Sequence, residues 1–191
     1  MKPWLRPRHP EARRRQFETL AHEHGAALLG VARRLTGNPT EAEDLVQEAL
    51  IKAYVAFDQF AAGTNFRGWV IRILVNTHIS HHRHRQRQPA TVAWEDLGGA
   101  SRDAFDLPGP DPDPETEVLS EVLDPELAPA LAALPDEFRQ AVVMADMLEL
   151  SYQEIAQLTQ VPLGTVRSRI FRGRRLLRES LREYALERGL L

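Results

Sequence analysis

At 191 residues and 43% hydrophobic, the chain has material for one core or two small ones, and it carries no cysteine, which excludes disulfides, thiolate zinc sites and a thiol sensor. No apolar run reaches membrane-spanning length, and the basic stretch from Met1 to Arg15 lacks the hydrophobic segment of a secretory signal. The net charge of −3 conceals a partition: between Pro89 and Glu126 eleven acids face one base, Arg102, a local charge of −10 that leaves +7 on the remainder.

Residues 1–13 read as a basic extension, and 14–88 as a first helical domain. Phe17, Leu20, His24, Leu28, Val31 and Leu35 recur at spacings of three and four, one face of a helix. Gly37-Asn38-Pro39 ends it. Asn38 suits the N-cap of the next helix, Pro39 its first position, and Glu41 the third, where a capping box closes. That helix turns Ala42, Leu45, Val46, Ala49, Ala53 and Phe57 inward and presents Glu41, Asp44, Gln47 and Glu48 on its other face. Most acidic helix faces are merely solvated, so the residues alone leave solvation and protein binding open.

A small-residue loop, Ala61 to Asn65, leads to a third helix from about Phe66 to Gln86. Trp69, Val70, Ile71, Ile73, Leu74 and Val75 make its first half apolar nearly all round. His78, His81, His82, Arg83, His84, Arg85 and Arg87 follow without an acid. Such a helix packs in a core at one end and can touch phosphates at the other. His78 and His82 stand at i and i+4, a workable metal pair, but no neighbouring carboxylate or cysteine completes a site and the arginines repel a cation. A basic strip on nucleic acid, or plain surface, is the expectation.

Residues 89–124 read as an extended acidic linker around Pro108-Gly109-Pro110-Asp111-Pro112-Asp113-Pro114, and 125–191 as a second helical domain. Leu127, Leu131 and Leu134 suggest one helix. Pro135 opens another with Phe138, Val142, Ala145 and Leu148 inward. Ser151 and Glu154 form a capping box on a short helix through Leu158. Thr159-Gln160-Val161-Pro162 makes a tight turn, and a basic helix runs from Leu163 to about Tyr184, with Arg167, Arg169, Arg172, Arg174, Arg175, Arg178 and Arg182. This is a helix-turn-helix, a reader of duplex DNA. Ile155, Val161 and Val166 fill its small core, and Ala156 permits close helix approach. Gln160 occupies the turn position where a left-handed backbone favours Gly. Arg167, Ser168, Phe171 and Arg172 share the face that would enter a groove, and Arg174, Arg175 and Arg178 read as phosphate contacts or solvated charge.

Three blocks now resemble the extracytoplasmic-function sigma factors of bacterial RNA polymerase, in the sigma-70 family. They are Arg34-Leu35-Thr36-Gly37-Asn38 with Ala42 through Glu48; Phe66-Arg67-Gly68-Trp69-Val70 with Ile73 and Val75-Asn76-Thr77; and Leu150 through Ala156 with Gly164 through Arg169. The resemblance implies an all-α fold of two small helical domains, sigma regions 2 and 4, joined by the acidic linker, which would thread toward the RNA exit path. It implies that Asp44, Leu45, Gln47 and Glu48 bind core polymerase, whose β′ clamp helices and β subunit are the expected contacts. Asn65, Phe66, Trp69, Asn76, Ser80 and Arg83 would meet the −10 element and capture unpaired bases. Thr165, Arg167, Ser168, Phe171, Arg172 and Arg175 would read the −35 duplex.

The implied role is an alternative sigma factor: a cytoplasmic, non-enzymatic initiator of transcription of a stress or envelope-response regulon. It needs no cofactor or metal and no membrane insertion, and an anti-sigma factor is a further expected partner. The alternative is a free-standing helix-turn-helix regulator with a ligand-sensing N-terminal domain. The acidic block is a feature that alternative does not require.

Overall fold

The computed structural model describes residues 10–61, 63–87 and 127–189. Residues 1–9 of the expected extension, Ala62 in the expected loop, and the whole 89–124 linker lie outside the described residues. All regular structure among the described residues is helical.

The first half is three packed helices: α1 (Pro10–Thr36), α2 (Pro39–Ala56) and α3 (Phe66–Arg87). Helix α1 begins at Pro10, inside the stretch read as extension. Arg13 explains the difference. Its Nη2 donates to the Tyr54 carbonyl at 2.6 Å, its Nε donates to Asp58 at 3.0 Å, and its guanidinium lies over the Tyr54 ring. These tertiary contacts carry the helix back past the apolar pattern. The expected inward face of α1 is packed around Phe17, Leu28, Val31 and Leu35. Ala42, Ala49 and Ala53 are fully buried, and their small side chains let α2 lie close to its neighbours.

Gly37, at φ +68°, makes the left-handed turn between α1 and α2. Asn38 then accepts from the Thr40 and Glu41 amides at 2.9 and 3.2 Å. Its cap is as expected, but Glu41 does not close the box; its carboxylate lies 3.5 Å from Arg85 instead.

The second half holds α4 (Leu127–Ala132), α5 (Asp136–Val142), α6 (Tyr152–Thr159), α7 (Leu163–Ser180) and α8 (Arg182–Glu187). Helix α5 runs into a π-helical turn, Val143–Met147, before Glu149 reverses the chain at φ 53°. Helix α7 crosses α5 where Gly173 stands. A Cβ there would lie 2.6 Å from Val142 Cγ2 and 3.2 Å from the Phe138 carbonyl, so the crossing needs Gly. The basic helix expected to reach Tyr184 breaks at Leu181, leaving α8 as a separate short helix.

The two halves pack on each other. Helix α1 meets α4 and α5, and α3 meets α6. Arg139 on α5 lies at this junction, 5% exposed.

Candidate nucleic-acid interface

Helix α6 begins with the expected box. Ser151 Oγ accepts from the Glu154 amide at 3.2 Å, and the Ser151 amide donates to the Glu154 carboxylate at 2.8 Å. The Ser151 hydroxyl, which donates to the Glu154 carboxylate at 2.6 Å, and then the Ser151 amide hold that carboxyl below the usual carboxylate range. Gln160 ends the helix at φ 56°, ψ 37°. A non-Gly residue therefore occupies the left-handed turn the sequence pointed to, at a steric cost.

Helix α7 buries Val166, Ile170 and Gly173 and exposes the opposite side. That side carries Arg167, Ser168, Phe171, Arg172, Arg175 and Arg178, all exposed, with half-buried Thr165 at its start. Phe171 is 69% exposed, an apolar ring among cations. On such a face it suits the methyl group of thymine, while the arginines suit guanine edges and phosphates.

Arg175 pairs along this helix with Glu179 at 3.7 Å, and two further arginines reach other elements. Arg169 pairs with Glu137 at 3.0 Å, and Arg174 makes a two-point contact with Asp146. Arg174 is thus tied to the π-turn by a carboxylate rather than left as solvated charge. Asp146 gave no hint in the linear pattern, because 28 residues separate it from Arg174.

Helix α3 is built differently. Phe17, Phe57, Phe60, Phe66 and Trp69 form an aromatic cluster at its start, with Phe60 and Trp69 centroids 5.2 Å apart. Phe66 is 3% exposed, which corrects its expected place on an accessible face: its ring is enclosed by the other aromatic rings of that cluster. Asn65 caps the helix, its Oδ1 accepting from the Gly68 amide at 2.9 Å. Half-buried Trp69, Asn76 and Arg83 and exposed Ser80 follow one another at spacings of seven, four and three residues along one face.

The histidine run divides. His78 is 3% exposed and buried, not a surface strip. Burial first, then the charges of His82, Arg85, Arg139 and His81, push its imidazole down to about 4, so it is neutral at pH 7. His81 pairs with Glu48 at 2.9 Å. Among the described residues no three potential ligands gather into a metal site.

On α2, Asp44 and Gln47 are exposed and Glu48 is half-buried along one face. Leu45 is buried in the core, so its part in that face is to seat the helix. Burial works to raise the Glu48 carboxyl, but Lys52 at 2.8 Å and His81 outweigh it and hold the group below the usual range. Ile51 and Val55, 65% and 76% exposed, continue the same face at helical spacing, which the sequence reading overlooked because it sought only polar residues there.

Family comparison agrees with both halves. Residues 20–88 match the sigma-70 region 2 family and residues 126–177 match sigma-70 region 4. The chain is 39% identical over 171 residues to the ECF RNA polymerase sigma factor SigE of Mycolicibacterium smegmatis, covering 90% of this chain and 63% of that relative. It is 36% identical over 152 residues to the ECF RNA polymerase sigma factor SigW of Bacillus subtilis, covering 78% of this chain and 80% of the relative. The sigma factor RpoE of Bartonella quintana, solved in complex with the anti-sigma factor NepR, superposes with a TM-score of 0.51 at 26% identity, over 87% of this chain and 97% of that one.

Proposed function

The chain belongs to the extracytoplasmic-function sigma factors of the sigma-70 family, and from that membership we propose that it is an alternative sigma factor that directs core RNA polymerase to promoters and initiates transcription. The observation that carries this reading is the pairing, in one chain, of an exposed basic recognition helix with a second, differently built helical face. A free-standing helix-turn-helix regulator accounts for the first and leaves the second without a purpose, so that alternative is not favoured.

The division of labour follows from the surfaces. The α7 face reads −35 duplex through Arg167, Ser168, Phe171 and Arg172, with Thr165 and Arg175 at the backbone. The α2 face, Asp44, Gln47 and Glu48, docks on the β′ clamp helices of the core, with the β subunit as a further contact. Asn65, Trp69, Asn76, Ser80 and Arg83 take the −10 element. A base that leaves the stack can lie against Trp69, which the aromatic cluster holds rigid, and meet the Asn76 amide, which both donates and accepts. Binding the flipped base offsets an unstacking cost of a few kcal/mol, so opening needs no fuel.

The protein acts without catalytic residues of its own, in the cytoplasm where polymerase and promoter are, on a stress or envelope-response regulon. The Bartonella quintana factor was solved in complex with an anti-sigma factor, and we propose a partner of that class for this chain. Run-off transcription with core polymerase on a promoter library tests the reading. Transcripts that depend on this chain are expected; operator binding without any transcript would favour the regulator instead.

A further inference from the structure

The arginines of α7 are not equally free to meet DNA. The exposed side of the helix runs through Arg167, Phe171 and Arg175, and its buried row is Val166, Ile170 and Gly173. Each residue advances about 100° around a helix, which puts Arg169 on one flank of the buried row and Arg174 on the other. Both flanking arginines are held by carboxylates. Arg169 pairs with Glu137 of α5 at 3.0 Å, and Arg174 pairs with Asp146 of the π-turn, through Nε at 3.0 Å and again through Nη2.

The two pairs differ in exposure. The Arg169 side chain is 21% exposed, and its pair closes the contact of α7 with α5. The Arg174 side chain is 50% exposed, and an ion pair that wet contributes little to stability. Holding the fold together is therefore a poor account of Asp146. The backbone that carries it is nevertheless unusual. Helix α5 widens into the π-turn, where the Leu148 amide donates to the Val143 carbonyl at 3.1 Å, and Glu149 follows at φ 53°, a steric cost for a residue other than Gly. Such π-turns are rare and gather at functional sites. This one stands Asp146 against Arg174.

The flank of a recognition helix is where phosphates are met. A helix about 10–12 Å across fills a major groove about 12 Å wide, so its flanks lie beside the phosphate rows that border the groove. Arg174 stands roughly 10 Å further along the axis than Arg167, on such a flank. A lone arginine there would neutralise a phosphate. Paired with Asp146, it brings no net charge to that row.

We propose that Asp146 limits the sequence-independent affinity of the chain for DNA: it withholds Arg174 from the phosphates and leaves the hold on duplex to the exposed face of α7. The proposal rests on the reading of α7 as a duplex reader and concerns how firmly that reader grips any duplex. Each phosphate neutralised strengthens binding to all sequences alike and steepens the log–log salt dependence by about 0.9. Non-promoter duplex far outnumbers promoters, so a weaker general grip keeps the chain from being held where no promoter stands.

Salt titration of the full chain on a mixed-sequence duplex, read by fluorescence anisotropy, tests this. Asp146→Asn keeps the shape of the side chain and removes its charge. It is expected to raise affinity roughly three- to tenfold near 0.1 M salt and to steepen the slope by about 0.9. Asp146→Asn combined with Arg174→Gln makes the pair neutral again and is expected to return affinity and slope to the wild-type values. If Asp146 instead positions Arg174 on a phosphate, or only braces the helix, the signs differ. Asp146→Asn then binds no better than wild type, or the double variant binds more weakly with a flatter slope. Either result overturns the restraint. Circular dichroism reports folding: if Asp146→Asn does not fold, the double variant decides, and failure of both to fold makes the pair structural and overturns the proposal too. Arg175→Ala in the same titration separates this idea from the reading beneath it. A flatter slope with Arg175→Ala but no change with Asp146→Asn sinks the restraint alone. No response to either substitution, or no duplex binding by the wild type, sinks the duplex reader with it.

Discussion

Helices α3 and α7 are both proposed to meet DNA, yet they are built in opposite ways. Helix α7 buries a narrow row, Val166, Ile170 and Gly173, and leaves its whole opposite side to solvent. Helix α3 is enclosed for most of its length, with Val70, Leu74, Val75, Thr77, His78 and Ile79 all buried. A duplex is met as a finished surface, so its reader needs an open cationic face. A flipped base must be received against something stiff, so its reader needs a supported ring with an amide beside it. The difference teaches that arginine density marks only the first kind of site; the second is marked by the packing behind it.

The strongest challenge to this contrast is to detach the α3 half from polymerase. Reversing charge on the α2 face, Asp44→Arg with Glu48→Arg, should abolish co-purification with core and run-off transcription. Binding to a −35 duplex fragment should be unchanged, because α7 is untouched. Equal loss in both assays would mean the halves do not divide the work.

Acid should separate the halves in stability. His78 is neutral in the fold, with its affinity for protons pushed down to about 4, whereas an unfolded histidine titrates near 6.5. Below 6.5 the unfolded chain binds the proton first. The stabilisation from keeping His78 neutral is therefore full above 6.5 and is lost as pH falls toward 4, by up to roughly 3 kcal/mol. Denaturant unfolding across that window should show the decline. His78→Phe, which carries no titrating group, should flatten it; an unchanged slope would place the acid sensitivity elsewhere.

Within α7, Arg172 and Arg175 sharpen the distinction between reading and holding. Arg172→Ala should cost about 1–3 kcal/mol and relax preference at one or two base pairs. Arg175→Ala should weaken all sequences alike and lower the salt slope by about one phosphate. Identical behaviour in a salt titration on matched and mismatched duplexes would remove that division.

The smallest effect is expected at the turn before the reader. Gln160→Gly relieves a left-handed strain of roughly 1–2 kcal/mol, part of which the added freedom of Gly in the unfolded chain offsets. A gain of about 0.5–1 kcal/mol in thermal unfolding should leave DNA affinity nearly unaltered, which would mark the strain as structural; a loss of affinity would tie that turn to the DNA face.

Local patterns in the sequence determined where most helices lie, though not the start of α1, the π-turn or the break at Leu181, and they determined both caps at Asn38 and Ser151, the left-handed turn at Gln160 and the exposed basic face of α7. Each depends on residues within a few positions of one another, and helical periodicity reports them directly. Tertiary structure alone decided that Phe66 is enclosed in the aromatic cluster, and that Arg174 belongs to Asp146. It also decided that His78 is buried and neutral, and that Arg139 caps a helix more than a hundred positions away. A single Phe, His or Arg has the same local pattern in a core, on a surface or across a junction. Its burial and partners are set by which helices the fold brings together, and that is a property of the whole chain rather than of any window along it.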